Sequence, residues 1–112
     1  MTAKDIIKKL DKLEIHQQRR VADNYAEVVI FNKEIFICTE ILEEFLGAAV
    51  SSAGIKPTEE DVVATKDFGG IFDEQILYKK DFDETRVLVM LWPWQDSEHI
   101  TLKVICLNKQ ED

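Results

Sequence analysis

The last third of the chain constrains the fold most, because it has the pattern of three antiparallel β-strands in succession. Its central run, residues 85–92, is rich in β-branched and large apolar side chains, which suit a pleated and half-buried surface. Residues 74–82 precede this run across a turn predicted at 83–84, and residues 99–107 follow it across a turn predicted at 95–96. We therefore predict a three-stranded antiparallel meander here.

The two turns determine which side chains share a face of the sheet. The first turn places Asp81 opposite Arg86, and an opposite-charge pair of this kind contributes roughly 0.2–1 kcal/mol. Both turns also align apolar residues across the strands, in the predicted pairs Ile76–Leu91, Tyr78–Val89, Val87–Val104, Val89–Leu102 and Leu91–Ile100. A slip of one residue at either turn would reverse a strand and destroy this match.

The reverse face of the meander is more apolar than an ordinary solvated surface. Its largest apolar side chains include Leu77, Leu88, Met90 and Trp92. Another segment of this chain or a second chain is expected to cover such a surface. We predict that these four residues form an interface, with a homodimer as the expected assembly.

The first half of the chain has mainly helical patterns. Thr2 is a suitable N-cap for an amphipathic first helix, and residues 34–53 form the strongest predicted helix, ended by Gly54. Thr58 is predicted to cap a third, short helix, with Val62 and Val63 directed inward.

Residues 21–31 allow two interpretations. The main prediction is a helix, because residues 19–27 contain few turn-forming side chains. The alternative is a hairpin in which residues 28–31 pair with residues 34–37 around Asn32 and Lys33.

These patterns predict an α+β fold for residues 1–112 as a single domain. In the main prediction, N-terminal helices pack on a C-terminal three-stranded antiparallel β-meander. In the alternative, the extra hairpin produces the order helix, two strands, helix, three strands, with one five-stranded antiparallel sheet.

The formal net charge of −8 is unevenly distributed. Residues 1–20 contain six basic and three acidic side chains, whereas the rest of the chain contains eight basic and nineteen acidic ones. The acidic body is expected to repel nucleic acid and anionic lipid, which makes a nucleic-acid partner the least favoured interpretation.

The sequence also predicts a cytoplasmic protein that has no membrane segment. Met1 leads into an amphipathic pattern and not into an apolar signal region, and no run approaches the roughly 20 apolar residues of a membrane span. Cys38 and Cys106 are far apart and have apolar neighbours, so we expect two reduced, buried thiols.

Most of the candidate catalytic and metal sites in the sequence are better explained as ordinary structural features. The Asp67-Phe68-Gly69 triplet imitates the magnesium-binding triplet of protein kinases, but the chain has neither their catalytic loop nor their glycine-rich loop. Asp81, Asp83 and Glu84 lack calcium-loop spacing. Two histidines and two separated cysteines make no zinc pattern. We predict no catalytic residue, no metal site and no cofactor, and enzymatic activity is not favoured.

The most site-like group is Trp92, Trp94 and His99 at the end of the second hairpin. In the predicted register His99 lies opposite Trp92 on the reverse face, with Trp94 nearby. An imidazole beside two indoles can bind a planar or cationic ligand, or carry a proton near neutral pH. Cys106 points to the other face, so it cannot pair with His99.

Three functional hypotheses follow. The first is an interaction or adaptor module that forms a homodimer through the apolar sheet face. The second is a small-molecule-binding protein or enzyme with Trp92, Trp94 and His99 at its pocket. The third is nucleic-acid binding through the basic N-terminal residues Lys4, Lys8, Lys9, Lys12, Arg19 and Arg20.

Overall fold

The computed structural model describes residues 2–52, 55–71, 75–82 and 84–108. The helices and strands in this part of the chain are α1 (Ala3–Lys9), β1 (Ile15–Val21), β2 (Tyr25–Phe31), α2 (Ile35–Leu46), α3 (Glu59–Thr65), β3 (Ile76–Phe82), β4 (Thr85–Pro93) and β5 (His99–Asn108). Short 3-10 turns, Asn32–Glu34 and Lys66–Phe68, precede α2 and follow α3.

The five strands form one antiparallel sheet in the order β1-β2-β5-β4-β3. This is the five-stranded alternative, and the main prediction of a three-stranded sheet is not confirmed. The helix predicted for residues 21–31 is wrong, because β2 is an inner strand between β1 and β5. Its run Val28-Val29-Ile30 is buried on both faces, and β-branched side chains suit such a position.

The extra hairpin lies earlier in the chain than the alternative placed it. Residues 22–24 connect β1 to β2, and the amide of Ala22 donates to the carbonyl of Tyr25 at 2.8 Å. Asn32 and Lys33 belong instead to the 3-10 turn that enters α2.

The predicted register between β3 and β4 is confirmed residue by residue. Ile76 pairs with Leu91, Tyr78 pairs with Val89, and Asp81 pairs with Arg86. The Arg86 guanidinium donates to the Asp81 carboxylate through Nε at 2.8 Å, and this bond raises the pKa of Arg86 above its ordinary value. The predicted start at residue 74 and the turn residue Asp83 lie outside the described residues.

The register between β4 and β5 differs from the prediction by two residues. The observed pairs are Val87–Cys106, Val89–Val104 and Leu91–Leu102. The loop is longer because the Asp96 carboxylate accepts from the amides of Glu98 and His99, and Ser97 adopts a φ of 60°. A shift of two keeps every side chain on its predicted face.

Each face of the sheet has its own apolar core. Helices α1 and α2 cover one face, which we call the helical face, and their buried residues Ile6, Leu10, Cys38 and Leu42 pack with Val28, Tyr78, Val89, Leu102 and Val104. The second core, on the opposite face, contains Leu77, Leu88, Met90 and Ile105. We call this opposite side the second face.

Helix α2 covers the helical face as predicted, but it ends at Leu46 and not near residue 53. Gly47 stops it by adopting a φ of +83°, which glycine reaches without steric cost. Beyond it the chain runs along the β3 edge, where Ser51 and Leu77 exchange backbone hydrogen bonds. The predicted stop at Gly54 lies outside the described residues.

Residues 59–71 cover part of the second face, and we call them the covering segment. Thr58 caps the helix at its start as predicted, and Asp61 completes a capping box with it. The inward direction predicted for Val62 and Val63 is wrong, because their exposed fractions are 46% and 68%. Asp61 and Thr65 are buried in their place. Asp61 turns inward because its carboxylate accepts from the Lys79 ammonium at 3.0 Å, on strand β3.

This buried ion pair leads to a first prediction about stability. Burial raises the pKa of Asp61, but the hydrogen bonds from Lys79 and Thr58 outweigh it and hold that pKa below the ordinary 3.8. The stabilisation is therefore complete above pH 3.8 and is lost as the pH falls through the lower folded-state pKa. We expect Asp61→Asn to cost about 1–3 kcal/mol at pH 7, measured by urea unfolding.

The same comparison at low pH supplies the control. As the wild-type carboxyl becomes protonated, the difference in stability between wild type and Asp61→Asn should shrink. A difference that is the same at pH 7 and pH 3 would contradict the charged pairing of Asp61 with Lys79.

Candidate functional site

The covering segment leaves the β1–β2 side of the second face open. The side chains on this side come from β1, β2, β5 and the end of β4. They are mostly polar, charged or aromatic, in contrast to the apolar core beside them. We call them the open face: His16, Arg19, Glu27, Phe31, Trp94, His99 and Lys103.

A cleft of about 640 Å³ lies between the open face and the 3-10 turn of the covering segment. Three basic side chains line it, Arg19, Arg20 and Lys103, together with two acidic ones, Glu27 and Asp67. The other residues of its lining are Asn24, Tyr25, Phe68, Ile105, Cys106 and Leu107. We call it the basic cleft, because it carries a net positive charge in a chain whose formal net charge is −8.

The Glu27 carboxylate is hydrogen-bonded to two other side chains in the wall of the cleft. Tyr25 donates its hydroxyl to one carboxylate oxygen at 2.7 Å, and Arg19 donates to the other at 3.2 Å. Burial raises the pKa of Glu27, but these two bonds outweigh it and the pKa lies below its ordinary value. Burial and the bond to Glu27 raise the pKa of Tyr25. Glu27 therefore orients Arg19 and Tyr25. Among the described residues, its carboxylate makes no direct hydrogen bond to the positive charges of Arg20 and Lys103.

Lys103 places a cation at the side of the cleft next to the covering segment. Its ammonium donates to the Phe68 carbonyl at 3.0 Å and lies 3.5 Å from the centroid of the Trp92 ring. Burial lowers the pKa of Lys103, whereas the nearby Glu27 raises it. Lys103 thus joins the covering segment to the sheet and contributes positive charge to the cleft.

Flat side chains accompany these cations. The Tyr25 ring is stacked on Phe68, with centroids 6.1 Å apart and an angle of 18° between the planes. The Arg20 guanidinium carbon lies 5.8 Å from the centroid of the same Tyr25 ring. A planar ligand entering the cleft therefore meets a row of flat surfaces and positive charges.

A second group of rings lies further along the open face. His99 is surrounded by His16 at 4.3 Å, Trp94 at 4.9 Å and Phe31 at 5.5 Å between ring centroids. We call these four residues the ring cluster. Strands β1, β2, β4 and β5 or their adjoining loops each supply one ring, so the cluster depends on the whole sheet order.

The loop between β4 and β5 holds His99 in place. The Nδ1 atom of His99 lies 2.6 Å from the Asp96 carboxylate, and Trp94 donates its indole N–H to the Thr101 hydroxyl at 2.7 Å. The bond to Asp96 leaves Nε2 as the nitrogen of His99 that can face a ligand. The bonds from the Glu98 and His99 amides and from His99 hold the pKa of Asp96 below its ordinary value.

The structure divides the predicted group Trp92, Trp94 and His99. Trp94 and His99 lie together, because the β4–β5 register places Trp94 opposite His99. The prediction that Trp92 lies opposite His99 is wrong, since Trp92 pairs with Thr101. Trp92 packs instead under the covering segment, where its buried indole N–H donates to no acceptor among the described residues.

Sequence reasoning missed His16, Arg19 and Arg20 as neighbours of this site. They lie on β1, which has the polar sequence IHQQRRV and six exposed residues out of seven. An edge strand of this kind lacks the apolar alternation that reveals buried strands. The only local signal was the composition of residues 15–21, in which one histidine and two arginines lie close together.

The residues predicted as an interface, Leu77, Leu88, Met90 and Trp92, belong to the core of the second face or pack against it. The first three are 0% exposed and pack with Phe68 and Ile71 of the covering segment. They offer no surface to a partner in this structure, because the same chain supplies the cover. The homodimer itself stays a prediction.

The basic residues of the third hypothesis do not form one surface. Lys4, Lys8 and Lys9 lie on α1, which packs on the helical face, whereas Arg19 and Arg20 line the basic cleft. Lys12 lies in the turns that follow α1.

Both cysteines lie in the apolar core of the helical face. Cys38 and Cys106 are free and buried, and burial raises the pKa of the Cys38 thiol to about 12. Cys106 belongs to the helical-face core, on the opposite side from His99 as predicted. Asp96, Glu98 and His99 bring possible metal ligands within 4.8 Å of one another, but the turn's own hydrogen bonds account for that arrangement.

Comparison of the chain with protein-family models, curated proteins and solved structures gave no match. Within the described ranges, every helix is too short or too polar to cross a bilayer.

Proposed function

We propose that this protein binds a small, flat, anionic molecule in the basic cleft. The observation that carries the proposal is the convergence of Arg19, Arg20 and Lys103 on one concave surface of an acidic chain. The proposal keeps the small-molecule hypothesis but moves its site away from Trp92 and towards β1 and β2.

The charge argument supports an anionic ligand. The Debye length is about 8 Å at physiological ionic strength, so charges within the cleft act on a ligand more strongly than the distant acidic body does. Glu27 is already bonded to Tyr25 and Arg19, which reduces its repulsion of an anion. A guanidinium also presents paired donors that match carboxylate and phosphate oxygens.

The shape of the cleft supports a small and flat ligand. Its volume of about 640 Å³ lies in the range of small-molecule sites, which run from about 300 to 1,000 Å³. The stacked rings of Tyr25 and Phe68 provide a flat wall, and ring stacking favours a planar partner.

Binding can be tested with naphthoate as the anionic planar probe and naphthamide as its neutral counterpart. We expect naphthoate to bind, measured by calorimetry, and naphthamide to bind at least tenfold more weakly. Arg20→Gln should weaken naphthoate binding about tenfold or more, because a hydrogen bond to a charged group contributes about 1.5–3 kcal/mol.

Lys8→Gln is the matched control. Lys8 is exposed on α1, and its replacement removes the same charge from the chain as Arg20→Gln does. Its binding of naphthoate should equal that of the wild type. Equal losses in the two variants, or equal binding of naphthoate and naphthamide, would reject a specific anion site in the cleft.

A further inference from the structure

The open face has a second cavity beyond the basic cleft. It measures about 530 Å³ and is lined by Phe31, Asn32, Lys33, Ser97, Glu98 and His99. Its aromatic members belong to the ring cluster, whereas Asn32, Ser97 and Glu98 bring groups that donate or accept hydrogen bonds. This cavity therefore combines flat surfaces with polar groups suited to the edge of a planar heterocycle.

Arg19 lies between the basic cleft and the ring cluster. It lines the basic cleft, and its guanidinium carbon lies 5.6 Å from the centroid of the Trp94 ring. Trp94 in turn lies 4.9 Å from His99. Positive charge and the tilted rings of the cluster are thus neighbours on the open face.

We propose that the ligand is a nucleoside monophosphate, with its phosphate in the basic cleft and its base against the ring cluster. This inference rests on the proposed function and names the class of the ligand. A phosphate suits Arg19, Arg20 and Lys103 because charge-assisted hydrogen bonds from these groups are strong. A base suits His16 and His99 because every base has a flat face that stacks on aromatic rings.

The charge distribution favours a single nucleotide over a nucleic-acid strand. Asp67 lies in the lining of the basic cleft, and Glu98 lies in the lining of the second cavity. A longer polyanion would pass these carboxylates and meet the surface of a chain whose formal net charge is −8.

The test compares adenosine monophosphate with its two parts, adenosine and inorganic phosphate, by calorimetry on the full chain. We expect the monophosphate to bind at least tenfold more tightly than either part, because one molecule engages both the cations of the basic cleft and the ring cluster. Arg20→Gln should weaken the monophosphate at least tenfold and leave adenosine unchanged. His16→Ala should weaken the monophosphate and adenosine by similar factors and leave phosphate unchanged.

The controls separate this inference from the proposed function. Lys8→Gln should bind all three probes as the wild type does, and His16 is exposed, so its replacement should leave the fold intact. Binding of naphthoate without binding of the monophosphate would overturn the nucleotide and leave the proposed function standing. Binding of none of these anions would overturn both. Tighter binding of a ten-nucleotide single strand than of the monophosphate would assign the surface to nucleic acid instead.

Discussion

Leu88→Ala is expected to lower the free energy of unfolding by about 3 kcal/mol, within the range of 2–5 kcal/mol typical of a buried leucine. Leu88 is 0% exposed and packs with Leu77, Met90 and Ile105 beneath the covering segment. Truncation removes apolar contacts and leaves a cavity that the sheet cannot collapse around. Urea unfolding, with circular dichroism as the signal, measures the loss.

The dependence of this loss on protein concentration separates two roles for Leu88. If the chain covers Leu88 itself, the loss is the same at every protein concentration. If a partner chain covered it, the apparent loss would change with concentration, because dimerisation adds stability by mass action. Val63→Ala is the control, since Val63 is 68% exposed and its truncation should change stability by no more than about 0.5 kcal/mol. A loss below about 1 kcal/mol for Leu88→Ala would contradict the buried second face.

Gly69→Ala is expected to destabilise the protein by about 2–4 kcal/mol, because it combines backbone strain with overpacking. Gly69 has a φ of +101°, and a Cβ built on it would lie 2.1 Å from the Cη2 atom of Trp92. The Trp92 ring is also in contact with Lys103, so it cannot move away without disturbing that cation. Thermal and urea unfolding measure the effect.

The matched control for the backbone contribution is Gly69→Ala in a Trp92→Leu background, which removes the ring and keeps the same backbone position. There the substitution should cost only about 1–2 kcal/mol, because the left-handed backbone strain remains and the clash does not. If Gly69→Ala costs as much in the Trp92→Leu background as in the wild type, the close packing of Gly69 on Trp92 is wrong.

The C-terminal strands were predictable because their information is local. Alternating apolar side chains show which face each residue of β3, β4 and β5 occupies, and a short connection aligns Asp81 with Arg86. The loop between β4 and β5 was harder to place. Its length depends on the Asp96 carboxylate, which binds the amides of Glu98 and His99, and a polar loop sequence does not reveal that bond.

The candidate site was predicted only in part, for the same reason. Trp94 and His99 are close in sequence and share one hairpin, so a local pattern brings them together. His16 reaches His99 only because β1 joins the sheet edge beside β2, which pairs with β5. Arg19 and Lys103 meet in the basic cleft through the same long-range pairing.

By itself, the sequence determined the strands of the last third, the face of each of their side chains and the N-caps at Thr2 and Thr58. All of these depend on neighbours within a few residues or across a short turn. Only the tertiary structure decided that β1 and β2 are strands, that residues 59–71 cover the second face, and that cations and rings meet on the open face. The local sequence pattern of such a segment is compatible with more than one conformation. Strand pairing and burial between distant segments decide which of these conformations it adopts.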